Sequence, residues 1–195
     1  MNHNQPSMNF ESSTMKNKAL IWAFCWAVLA LAQGAQAHIV LTEPQAVAGT
    51  YYKATLRVGH GCNGSATTSL VVQVPTGFQG AKPQPKPGWS LSSRTAKLAQ
   101  PYTSHGKTVT DDVVELRWTA RNPEAALPDD QFDEFAFMGR LPDIAGPMWV
   151  QVLQTCENGQ NDWSDIPLSG TSTHGMKWPA ALLDVQAAPA HEHRH

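Results

Sequence analysis

The sequence runs to 195 residues, with 14 Lys and Arg against 16 Asp and Glu and a formal net charge of −2 at pH 7. That length suffices for one domain with a proper core. A balance this close to neutral, and slightly acidic, gives no electrostatic ground for nucleic-acid binding.

In chain order, the first feature is an export signal. Lys16 and Lys18 precede an apolar run, Ala19 to Ala32, and Ala35-Gln36-Ala37 follows as a small-x-small cleavage site. The run is short of the roughly 20 apolar residues a spanning helix needs. Residues 1–37 are therefore read as a signal peptide, cut after Ala37. The cut leaves 158 residues starting at His38, with 12 Lys and Arg against 15 Asp and Glu. No later apolar run is long enough to span a bilayer. Cys25 leaves with the signal, while Cys62 and Cys156 stay. In an exported chain two cysteines are most simply one disulfide. A thiolate metal pair is the competing reading.

The rest reads as strands. Tyr51–Val58 alternates and is rich in β-formers, and Ser69–Val74 is β-branched up to the turn Pro75-Thr76-Gly77. Trp89–Ser93, Val113–Ala120, Glu134–Gly139 and Met148–Thr155 follow, separated by Pro, Gly, Asn and Asp. In Val113–Ala120, Val114, Leu116 and Trp118 share one face and Glu115 and Arg117 the other, as in a half-buried antiparallel strand. Asp129–Phe132 has room for a single turn. Ala81–Trp89 reads as a stiff, proline-rich connection. The expected fold is all-β, a single-domain antiparallel sandwich of immunoglobulin or cupredoxin type spanning residues 38–183. A His-rich tail, residues 184–195, is expected to be disordered.

The position of His38 carries the chemistry. A cut before it makes it an N-terminal residue with two nitrogen donors, the α-amine and imidazole Nδ1. α-Amines and imidazoles give up their protons near neutral pH, and the pair suits Cu(II), which prefers tetragonal N and O ligands. This is a histidine brace. Glu43 is the nearest carboxylate, able to join only if the chain bends before Pro44. His60, between two glycines in VGHGC, is read as a nearby hydrogen-bonding or loop residue, with direct ligation the less favoured role. His105 and His174 are read as loop residues, and His191, His193 and His195 as a weakly chelating tail. There is no GxSxG elbow and no HExxH helix.

Several segments in order carry a family resemblance: HIVLTEPQAVAGTYYKATLRVGHGCNGSATTSLVVQVPTGF, AKPQPKPGW, ELRWTA, FDEFAFMG, QTCENG and NDWSDIP. Together they resemble the YcnI-like copper-binding domains of exported bacterial proteins, over roughly Ala37 to Pro167. The resemblance implies a β-sandwich holding one Cu(II) per chain through a single-histidine brace. His38 and Glu43 match the ligand positions, and Trp163 matches a tryptophan near the metal. It also fits a Cys62–Cys156 bridge. The implied role is non-enzymatic: copper sequestration, or delivery to another periplasmic copper chaperone or a membrane copper transporter. The implied location is the periplasm. Two other classes stand beside it. One is a polysaccharide-oxidising copper oxygenase, which needs a second imidazole from His60, His105 or His174. The other is a metal-free binding module, for which His38 is dispensable.

Overall fold

A computed structural model describes Met1 and residues 38–189. The signal-peptide reading and the tail histidines lie outside the described residues. Among those described there is no α-helix, only a short 3₁₀ turn at Pro123–Ala125 capped by the Asn122 side chain. No described helix is long and apolar enough to cross a membrane.

Eleven strands among the described residues form two sheets. The smaller has the order β1 (Val40–Leu41), β3 (Tyr51–Val58), β8 (Asp133–Arg140), β5 (Gln79–Pro83). The larger has the order β2 (Gln45–Val47), β11 (Ala181–Gln186), β9 (Gly146–Cys156), β4 (Thr67–Gln73), β7 (Lys107–Ala120), β6 (Trp89–Ser104). A short strand, β10 (Gln160–Trp163), adds to β9 beyond β11. The inward faces of both sheets meet in one core built on Leu56, Leu70, Leu116, Trp118, Phe135, Phe137 and Val152. Strand alternation decides which residues enter it: β3 reads exposed–buried almost residue by residue, as its sequence requires.

All-β sandwich architecture is as expected, and it differs from the expectation in detail. The pairing of β2 with β11 is parallel, so the sandwich is not purely antiparallel. Asp184, Val185 and Gln186, expected in the tail, complete β11 instead. Leu183 and Val185 are buried, and that apolar period-2 face holds the segment against β9 and β2. The strand expected at Trp89–Ser93 runs on to Ser104. It turns at His105-Gly106, both at positive φ (48° and 74°), and returns as β7. That two-residue turn with both φ positive twists with the strands it joins. The proline-rich connection is paired as β5 as far as Pro83. Beyond it, the Gln84 carbonyl accepts the Trp118 indole N–H at 3.0 Å, which ties the connection to the core. At Asp129-Asp130 the chain makes a turn.

Candidate metal centre

Trp163 is the last residue of β10. It lies opposite Val152 of β9, and strand alternation turns it and Asn161 inward. Its indole is 2% exposed and takes three rings edge-on: His38 at 5.8 Å between centroids, His60 at 6.2 Å and Trp178 at 4.9 Å. Edge-to-face packing of this kind is the favoured arrangement of aromatic pairs.

His38 lies just before β1 and His60 just after β3, two strands that pair. Ile39 and Leu41 bury their side chains and anchor the start of the chain. β1 then pairs antiparallel with β3, Val40 opposite Arg57. Carrying that register two residues outward sets His38 opposite Gly59, the neighbour of His60. His38 and His60 are both half-buried.

Beneath the rings lies a fully satisfied polar network. The Trp163 N–H donates to Gln154 Oε1 at 3.0 Å. Gln154, wholly buried, donates through Nε2 to the His60 carbonyl at 2.7 Å and to Thr67 Oγ1 at 2.8 Å. The Asn161 amide donates to Gln154 Oε1 at 3.3 Å, with a longer contact to the Gly61 carbonyl. No buried side-chain N or O among the described residues lacks a partner. Buried amides need such partners, because an unmet one costs about 1–3 kcal/mol. The Cys62–Cys156 disulfide closes the same corner, with Cα atoms 5.9 Å apart across 94 residues of sequence. Those two cysteines are accordingly bonded to each other and are no thiolate pair.

Glu43 is exposed on the bend after β1, and its backbone carbonyl accepts the Tyr52 phenol at 2.6 Å. Burial, with the Glu43 charge second, pushes that phenol up to about 12. The structure gathers His38 and His60 against Trp163. Among the described residues no three His, Cys, Asp or Glu side chains are grouped to hold a metal ion. A brace asks for fewer, because the backbone nitrogen of His38 is one of its donors.

A groove of roughly 290 Å³ opens beside His38, walled by Leu41, Pro44, Thr171, Thr173 and Ala180–Leu182. A larger groove, about 500 Å³, runs along Gln73–Thr76 and Pro142–Gln151. Its lining has no histidine, cysteine or charged group, so it offers no donor set.

The profile of a domain of unknown function, DUF1775, matches residues 38–185. The chain belongs to the DUF1775 family. The match begins at the histidine that follows the small-x-small site and ends inside β11. No curated protein matches the chain. Among solved structures, the chain is similar to an uncharacterized protein from Nocardia farcinica described as having an immunoglobulin-like fold. Identity is 24%, coverage 76% of this chain and 97% of that one, and the TM-score 0.57. That likeness speaks for the fold alone.

Within this DUF1775 domain, sequence reasoning placed His38, Trp163, His60 and both cysteines in the neighbourhood where they are found. It missed Gln154, Asn161 and Thr67. A signal for Gln154 was present: β9 alternates so that Met148, Val150, Val152, Gln154 and Cys156 share the buried face. A glutamine on an apolar face implies a polar partner beneath it. His105 forms the β6–β7 turn and His174 an exposed loop, neither at Trp163.

Proposed function

We propose that the mature chain begins at His38 and binds one Cu(II) through that residue's α-amine and Nδ1, as cargo to be sequestered or passed on outside the cytoplasm. The observation that carries this reading is the seating of His38, directly after Ala35-Gln36-Ala37, edge-on against the buried indole of Trp163. A free N-terminal residue is ordinarily the most mobile part of a domain. Here Ile39 and Leu41 pin the strand and Trp163 supports the ring. The chelating pair is thus ordered before any ion arrives, while the half-exposed imidazole leaves a path in. Amine and imidazole nitrogens are the donors Cu(II) prefers. The indole N–H is already committed to Gln154 and an indole has no lone pair to give. Trp163 therefore supports and shields without ligating. Likeness to the YcnI-like domains supports the same reading and the periplasmic location.

The test is an EPR titration with Cu(II) of the chain starting at His38, beside a chain with one alanine added before it. One axial site with nitrogen coupling, lost on extension, is the expected result. Equal binding by both chains overturns the brace and favours a metal-free binding module.

A further inference from the structure

At its Tyr51 end the outer face of the smaller sheet is cationic, although the chain has a net charge of −2. Strand register sets the residues there in rows. Tyr51 of β3, Arg140 of β8 and Gln79 of β5 stand side by side in one row, and Lys53, Met138 and Lys82 in the next. Gln79 and Lys82 are three apart and would face opposite sides of a regular strand. A bulge between them, with Gly80 at φ 63° and Ala81 buried, turns both outward. Bulges re-aim side chains in this way, often beside functional sites.

The β6–β7 hairpin belongs to the larger sheet, yet it reaches this face. Its register slips between Lys97 and Tyr102. The Tyr102 hydroxyl and the Gly80 N–H both donate to Asp112 Oδ2, each at 2.8 Å, which ties the hairpin to β5. The result is a groove of about 260 Å³ that runs over β8 at Met138, between Tyr51 of β3 and Tyr102, Ser104 and His105 of the hairpin.

The groove's chemistry is mixed. Tyr51 is 67% exposed and Met138 47%, so an aromatic ring and an apolar chain stand open to water. Lys82 and Arg140 are the permanent cations of the lining, and no carboxylate belongs to it. Two carboxylates bond to lining residues: Asp112 to Gly80 and Tyr102, and Asp143 to Arg140. Asp143 offsets the charge of Arg140. Lys82 and, across Met138 from it, Lys53 make no ion pair among the described residues. Gln79, Ser104 and the phenols add hydrogen-bonding groups. A ligand that meets all of these has an apolar face for a tyrosine ring, a rim of hydroxyls and a carboxylate for a lysine. A uronic-acid sugar carries the three together. The volume is that of a small-ligand cleft, whereas a standard protein interface covers about 800 Å² on each partner.

We propose that this groove is a second binding site, for the uronate residue of an acidic sugar, with Tyr51 against the ring and Lys82 at the carboxylate. It lies at the Tyr51 end of β3, whereas His38 and His60 lie at the Val58 end, so it does not depend on the copper reading.

The experiment is calorimetric titration of the chain starting at His38 with galacturonate, glucuronate and mannuronate, each as monomer and trimer and each beside its methyl ester. Binding of at least one acid, weaker for its ester, is expected. Tyr51→Ala should weaken it about tenfold and Lys82→Gln about threefold. Lys97→Gln, an exposed change outside the groove, should leave it unchanged. Urea midpoints verify that the variants fold. A trimer tighter than its monomer identifies a polysaccharide chain as the ligand, and equal affinities a free sugar acid. No binding of any acid at millimolar concentration overturns the proposal. Binding that Lys97→Gln weakens as much as Lys82→Gln, or that Tyr51→Ala leaves intact, overturns it too, since surface charge alone would then hold the sugar. Cosedimentation with phosphatidylglycerol vesicles in place of sugar binding also overturns it and gives the cationic face to a membrane surface.

Discussion

Gln154 is the residue on which the centre's geometry depends. It alone joins the His60 backbone, Thr67, Asn161 and the Trp163 indole, and it has no exposure to water. Gln154→Ala removes those partners and leaves the Trp163 N–H and the Asn161 amide short of an acceptor in a dry interior. The expected loss of stability is about 2–4 kcal/mol, read from the urea midpoint of the purified chain. Gln154→Glu keeps the acceptor, loses the donor and buries a charge, so it should be no milder. Gly61→Ala, with its Cβ against the Ser65 carbonyl, should cost at least about 2 kcal/mol by the same measurement. At this scale the sequence was partly legible. His38, His60 and Trp163 were readable because cleavage site, glycine flanks and NDW motif mark them. The bend at Thr42-Glu43 takes the chain from β1 to β2 in the other sheet.

Among the elements, β3 and the β6–β7 hairpin carry a pH dependence. Tyr52 of β3 is pushed up to about 12 by burial first and Glu43 second. Tyr102 of β6 is raised to about 12 by burial first, then by its bond to Asp112. Below pH 10 the phenols are protonated in folded and unfolded chains alike, and they add no slope. Between about pH 10 and 12 the unfolded chain releases these protons first, so stability falls as pH rises. Urea midpoints at pH 9 and pH 11 should show that fall, and it should be smaller in Tyr52→Phe. Strand recognition failed where burial was absent or the strand was very short. Tyr51–Val58 was read to the residue because it alternates against a core. The outer half of the hairpin, Arg94–Asp112, is mostly exposed, contains Pro101 and shifts register twice, so no period shows in its sequence. Backbone pairing and a few side-chain bonds, Tyr102 to Asp112 among them, hold it as strand. β1, β2 and β10 are two to four residues long, too short for any period to be read.

For the molecule as a whole, one covalent bond spans most of the domain. Cys62–Cys156 encloses a loop of 94 residues that includes β4 to β8 and most of β9. Loop closure of that length is worth about 4–5 kcal/mol through the unfolded chain. Cys62→Ala with Cys156→Ala should lower the unfolding free energy by about that amount, with the folded sheet content unchanged by circular dichroism. The sandwich itself was legible from many short strands and few helical periods, but the pairing of strands across it was not. Parallel contact of β2 with β11 joins residues some 140 positions apart, and no local pattern encodes a partner that distant. That contact has a bearing on timing. β11 is the last of the described strands, yet among them β2 hydrogen-bonds to no other, and Ala181 and Leu182 wall the groove beside His38. A chain emerging from the ribosome, N-terminus first, holds His38 from the outset but cannot close the pocket around it until the final strand is released. The domain therefore completes the surroundings of its first residues last, and a chain cut short before Ala181 presents an open sheet edge where the finished protein has the groove beside His38.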